Sequence, residues 1–210
     1  MKNLSPAAVP EAGKARKAGR PLSFDRDAAL QQAMLQFWRH GFESTSISDL
    51  TAAMGIAAPS LYAAFGDKKQ LFLAALERYL GGPVTAQSLI RDAATARQAA
   101  HDLLHAAAIG YTQEGLPRGC LLGTATLSCS ADSADLQTHL AALRRAIEIA
   151  LRKRLAQAVT AGELPPSFDP DIAAAHVAAV IQGMSTLARD GARRSKLLQI
   201  ADAALAGWPA

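Results

Sequence analysis

The 210-residue sequence predicts an all-α protein, a three-helix N-terminal unit with helix-turn-helix spacing followed by a larger α-helical body. Three observations carry this. Alanine recurs throughout while aromatic residues make up only 5% of the chain, a mixture that favours helices packed through small side chains over strands. In the N-terminal third, apolar residues repeat at i, i+3, i+4 and i+7, the period of a helix with one buried stripe. Glycines and prolines fall between these stripes or in a first helical turn, where they start and stop helices.

The first helix runs from Asp25 to His40, with Leu30, Ala33, Met34, Phe37 and Trp38 on one face. Arg39 and His40 suit its C-terminal dipole, and Gly41 ends it. Glu43-Ser44-Thr45-Ser46 supplies N-cap candidates for a short second helix, whose inner face is Ile47, Leu50 and Met54 and which stops at Gly55. Pro59 is tolerated only in a first turn, so the third helix starts at Ala57 or Ala58. Its Leu61 and Phe65 face inward, and Tyr62 faces away. After Gly66-Asp67, Lys68 opens a fourth helix carrying Leu71, Phe72, Ala75, Leu76 and Tyr79. Two short helices meeting at a glycine turn, braced by a longer one, match a helix-turn-helix, whose second helix presents outward residues to DNA base edges.

Charge distribution agrees. Residues 1–21 hold Lys2, Lys14, Arg16, Lys17 and Arg20 against Glu11 alone, which equals the whole net charge of +4. A basic arm ahead of a folded unit suits a polyanion, and Lys14, Arg16, Lys17 and Arg20 are candidate minor-groove contacts. Two cysteines are too few for a disulfide scaffold. The N-terminus has no apolar signal core. The uncharged run Ile172–Ala188 contains His176, Gln182, Ser185 and Thr186 and is dominated by alanine rather than leucine, which reads as an interface helix, not a membrane span. The expected compartment is the cytoplasm.

The sequence Gly19-Arg20-Pro21, then Phe37-Trp38 to Gly41-Phe42, Thr45-Ser46-Ile47 and Met54-Gly55-Ile56, resembles the TetR family of regulators, and Pro59-Ser60-Leu61-Tyr62-Ala63-Ala64-Phe65-Gly66-Asp67-Lys68 makes the match close. The resemblance implies a DNA-binding headpiece over 22–68, a linker helix to about 80, and a ligand-binding and dimerisation body over 81–210. It implies that Thr45 contacts phosphate (a plain N-cap is the other reading), that Tyr62 touches backbone or a base, and that Lys68 contacts phosphate. Ser46, Ala57, Ala58, Pro59 and Ser60 stand where the family's other DNA-contacting residues lie. Two positions depart. Ala57 and Ala64 replace side chains that in many members hydrogen-bond phosphate, so specificity leans on thymine methyl contacts, Tyr62 and the arm. An adaptor that no longer grips DNA is the alternative these departures keep open.

In the body, helical segments are expected at about 86–112, 119–129, 132–161, 170–190 and 194–207, separated by Gly115-Leu116-Pro117, Ser130 and Gly162 to Pro170. The penultimate segment is apolar almost all round and must be covered on both sides. Ala174, Val177, Ala178, Ile181 and Met184, with Leu197, Ala201 and Leu205 of the last segment, are the expected homodimer interface. Pocket-lining candidates are Leu104, Ala108, Tyr111, Leu122, Thr126, Ile147 and His176, with low aromatic content pointing to a small pocket or none. His101 and His105 stand at i, i+4 with no carboxylate or cysteine set in sequence to complete a metal site, so no metal or cofactor is expected. Cys120 beside Arg118 at a helix start is a candidate redox or electrophile sensor, and buried inert cysteine is its alternative. Cys129, nine residues on, lies about 13 Å away along one helix, too far for a disulfide.

No glycine-rich phosphate loop, nucleophile elbow, metal motif or catalytic carboxylate pair appears, so no enzyme is expected. The expected partners are palindromic double-stranded operator DNA, a second copy of the chain, and an unidentified small molecule that releases the protein from its operator.

Overall fold

A computed structural model describes residues 24–124 and 133–209. Lys14, Arg16, Lys17, Arg20, Thr126 and Cys129 lie outside them. Every regular element among the described residues is helical.

The headpiece comprises α1 (Arg26–His40), α2 (Ile47–Met54), α3 (Ala58–Phe65) and α4 (Lys68–Leu80). Local chemistry sets each boundary. Asp25 caps α1 by accepting from the Asp27 and Ala28 amides, and Gly41 (φ 80°) closes it. Ser46 and Asp49 form a reciprocal capping box at α2, and Asp67 and Gln70 another at α4. Ala57 precedes α3 with no side-chain cap, leaving the amide end of that helix open. The predicted stripe of α1 is buried to the last residue. Phe37 meets Phe72 edge-on at 5.1 Å between centroids, and Phe42 meets Phe72 at 5.3 Å.

The body follows as α5 (Ala86–Asp92), α6 (Ala96–Gly110), α7 (Leu121–Thr124), α8 (Ala134–Thr160), α9 (Pro170–Arg189) and α10 (Arg194–Ala204). The single segment expected over 86–112 is two helices. Ala93 turns extended (ψ 137°) and Thr95 caps α6 by accepting from the Gln98 amide. Without glycine or proline at that bend, the sequence carries only the weak signal of a threonine cap. A second core joins α5, α6, α8, α9 and α10, while Leu121, Leu122, Leu136 and Leu140 extend the headpiece core into the body.

By length and composition α9 is apolar enough to cross a membrane, yet one face of it is packed inside the chain. That face holds Ala174, Val177 and Met184, and Leu197 and Ala201 of α10 and Leu205 just beyond it join them, all with 2% exposure or less. These six are therefore core residues and not an interface. Ala178 and Ile181 are half-buried. Ala173, Ser185 and Ala188 share that inward face, so position around the helix and not side-chain size decides burial. Ala175, Ala179 and Gly183 stay outside with Ile172 and His176.

Candidate nucleic-acid interface and effector pocket

The exposed side of α3 is formed by Pro59, Tyr62 and Ala63, with Ala57 at its entry. Tyr62 is half exposed, whereas Ala58 and Ser60 are partly covered. Ala63, one turn beyond Pro59, joins this face and completes what the sequence assigned to Ala58. Thr45 departs from expectation. It is 1% exposed, and its hydroxyl donates to the Gly41 carbonyl at 2.6 Å, so it neither caps α2 nor faces a phosphate. Ser46, one residue on, is the exposed cap: its hydroxyl accepts from the Asp49 amide at 3.1 Å, and the Asp49 carboxylate accepts from the Ser46 amide at 2.9 Å. The Ser46 hydroxyl also donates to the Asp49 carboxylate at 2.6 Å, and that bond first, then the one from the Ser46 amide, holds Asp49 below the usual carboxylate value.

Lys68 sits against the loop between α1 and α2. Its Nζ lies 4.5 Å from the Phe42 ring centroid and donates to the Glu43 carbonyl at 3.3 Å. Burial pulls its pKa below the usual lysine value, opposed by Glu43. The cation is thus held against the loop that leads into α2. Arg26 stacks over Phe65 at 4.7 Å, tying the start of α1 to the end of α3.

Behind the headpiece, a cavity of about 960 Å³ opens among α5, α6, α8 and α9. Its wall is mainly aliphatic, with Leu89, Leu103, Ile147, Leu151 and Ile181, and Arg145, Glu148 and Gln182 add polar groups. Tyr111, Leu122 and Ile147 line it as expected. Leu104 and Ala108 are instead fully buried in the core, and His176 is exposed. The size also corrects the sequence reading. Alanines on facing helices (Ala106, Ala107, Ala178, Ala179) leave the space between backbones unfilled instead of closing it. Nothing in a one-dimensional pattern distinguishes those two outcomes.

Cavity and headpiece meet at residues 117–120. Gly119 adopts φ +81°, and a Cβ there would lie 2.9 Å from the Ser185 carbonyl, so both conformation and space require glycine. Its carbonyl accepts from Trp38 Nε1 at 3.0 Å, and the Cys120 amide donates to Ser185 Oγ at 2.8 Å. Cys120 lines the cavity, and the Tyr79 hydroxyl donates to its Sγ at 3.6 Å. The Tyr79 and Tyr111 phenols are both pushed well up, by burial first and then by Cys120. Arg118 does not serve Cys120 as expected. Its guanidinium donates to the Ala192 carbonyl at 2.8 Å and to the Ala188 carbonyl at 3.5 Å, capping the end of α9. Arg189 reaches across to the last turn of α1, donating to the Trp38 and Arg39 carbonyls at 3.3 and 3.2 Å. The sequence offered no sign of Arg189's role, because its partners lie about 150 residues away.

The chain is similar to known proteins over most of its length. The family model for bacterial regulatory proteins of the tetR family matches residues 29–75, and that for the tetracyclin repressor-like C-terminal domain matches residues 98–200. The HTH-type transcriptional repressor ComR of Escherichia coli K12 is 39% identical over 196 residues, covering 92% of this chain and 93% of that protein. BdcR, a second HTH-type repressor of the same organism, is 34% identical over 110 residues, 52% of this chain and 56% of that one. Among solved structures, a cysteine-substituted TetR family regulator CifR, complexed with 26-bp operator DNA, superposes with a TM-score of 0.85 at 38% identity, covering 91% of this chain and all of that one. With both halves of the family pattern and nearly the full length of a curated repressor matched, the chain belongs to the TetR family and is a helix-turn-helix transcriptional regulator.

Proposed function

We propose that the protein is a cytoplasmic, non-enzymatic repressor that binds a two-fold operator as a homodimer and leaves it when a largely apolar small molecule enters the body. The observation that carries this is the junction of cavity and headpiece. Tyr111 and Cys120 form part of the cavity wall, Cys120 bonds to α4 through Tyr79, and the adjoining Gly119 bonds to α1 through Trp38. A ligand that displaces Tyr111 or Cys120 changes the seat of both helices that carry α2 and α3. Binding and DNA affinity then share one coupling free energy, felt equally at each site.

In this reading residues 22–68 are the DNA-binding unit and 81–210 the ligand and dimer unit. Pro59, Tyr62 and Ala63 enter the major groove, with Ala57, Ala58 and Ser60 beside them. The uncapped amides at the start of α3 take a phosphate, as do Ser46 and Lys68 around the start of α2. The arm residues Lys14, Arg16, Lys17 and Arg20 reach the minor groove. The dimer forms through the outer face of α9, Ile172, His176 and Gly183, beside exposed Ile149 of α8. In the cavity, Arg145, Glu148 and Gln182 bind whatever polar group the ligand carries. Selection of bound duplexes from random DNA tests the reading: a palindrome with half-sites one or more turns apart is expected. Failure to enrich any motif contradicts it and favours an adaptor.

A second reading is favoured by Cys120 lining the cavity between two buried phenols. There the inducer is a conjugated carbonyl compound: the Cys120 thiol loses its proton to solvent, the sulfur adds to the β-carbon as the C=C π bond breaks, and the α-carbon takes up a proton from solvent. Release by an alkylating agent that Cys120→Ser abolishes supports it, and alkylation without effect on DNA binding excludes it.

A further inference from the structure

We propose that His101, His105 and Asp202 form a binding site for a divalent transition-metal ion of borderline softness, with Zn²⁺ as the reference ion. The fold supplies what the sequence lacked. His101 and His105 lie one turn apart on α6, and Asp202, 97 positions beyond His105, is brought to them by α10. The imidazoles stack at 3.8 Å between centroids and 23° between planes, and Asp202 Oδ1 is 2.7 Å from His105 Nε2.

One ligand atom from each of the three lies within 4.8 Å of the others. A tetrahedral Zn²⁺ with bonds of about 2.0–2.2 Å holds its ligand atoms roughly 3.3–3.5 Å apart, so rotamer adjustments of about an ångström close the set. Two nitrogens and one oxygen leave a fourth position for water. Imidazole selects Zn²⁺, Ni²⁺ or Cu²⁺ over Mg²⁺ and Ca²⁺.

An outer shell is also in place. His101 Nδ1 lies 3.1 Å from Asp102 Oδ1, which accepts from Gln98 Nε2 at 2.6 Å. Gln98 Nε2 also lies 3.3 Å from His101 Nδ1; in the tautomer whose Nδ1–H donates to Asp102, Nε2 is the ligand, the arrangement common behind metal-binding histidines. The two histidines are part-exposed, with 40% and 26% of their side chains accessible, which leaves an entry path. The opposite face of α6 lines the cavity through Leu103, Ala106 and Ala107, so an ion bridging α6 to α10 stiffens one cavity wall.

The test is Zn²⁺ titration of the full chain, without an affinity tag, in competition with a chromophoric chelator. Thermal unfolding with Zn²⁺, with Mg²⁺ and with EDTA accompanies it. One site per chain is expected, with Tm raised by Zn²⁺ and not by Mg²⁺. His101→Ala, His105→Ala and Asp202→Asn each weaken affinity tenfold or more, while His176→Gln and Cys120→Ser leave it unchanged. Where an alanine variant lowers Tm in EDTA, the glutamine variant at that position is the one read. Unchanged affinity in His105→Ala and Asp202→Asn overturns the proposal, as does loss of binding in Cys120→Ser.

Discussion

Trp38→Phe isolates the bond that joins headpiece to body. Trp38 is 4% exposed, donates through Nε1 to the Gly119 carbonyl at 3.0 Å, and meets Tyr79 edge-on at 4.9 Å. Phenylalanine keeps an aromatic ring on the same stem and removes the donor. The Gly119 carbonyl then sits in a buried region without its partner, which costs about 1–3 kcal/mol. For a chain of this size, each kcal/mol lowers Tm by about 2–4 °C, so a fall of about 2–12 °C is expected. Thermal unfolding followed by circular dichroism measures it. Protein concentration must be matched, because a dimer's Tm depends on it. Operator affinity should fall less than the response to ligand, since α3 keeps its own packing while its connection to the cavity loosens. An unchanged Tm together with an unchanged ligand response would refute the assignment of this contact as the junction.

Other perturbations separate the remaining roles. Ser46→Ala removes the α2 cap at a typical cost of about 1 kcal/mol. Because Asp49 is held below the ordinary carboxylate range, its contribution is present above that range, near pH 4, and lost as pH falls through it. The Tm difference between Ser46→Ala and wild type should therefore be full at pH 7 and shrink as pH falls below that range, as thermal scans across pH will show. Lys68→Gln should reduce the slope of log affinity against log salt by about 1. Thr45→Val should leave that slope alone and lower Tm, since its hydroxyl is buried against Gly41. Gly183→Arg, on the exposed face of α9, should yield monomers in sedimentation velocity and weaken operator binding. Ala178→Phe, which projects into the cavity, should leave DNA binding intact and abolish release by ligand in a DNA-binding assay.

The headpiece was legible because its periodicity is strong and its punctuation unambiguous. Leu30, Ala33, Met34, Phe37 and Trp38 were read as one stripe, and all are buried. Where neighbours share the same chemistry, sequence does not separate them: Ser44, Thr45 and Ser46 are alike, and only backbone direction turns Thr45 in and Ser46 out. The body was legible as helices but not as surfaces. In α9, nearly every position is apolar, so there was no contrast to tell the buried Val177–Met184 face from the exposed Ala175–Gly183 face. Long-range meetings left no local trace at all. Asp202 beside His105, Arg189 on the end of α1, and the space between facing alanines each depend on how distant helices cross.

The central claim is specific recognition of DNA by the headpiece. It is tested most directly by fluorescence anisotropy of the purified protein against its own upstream DNA and a scrambled duplex, at several salt concentrations. The account predicts tight binding that prefers the upstream fragment and weakens steeply as salt rises, with two chains bound per two-fold site. Equal, weak binding to both duplexes, persisting after selection from random DNA, would contradict it.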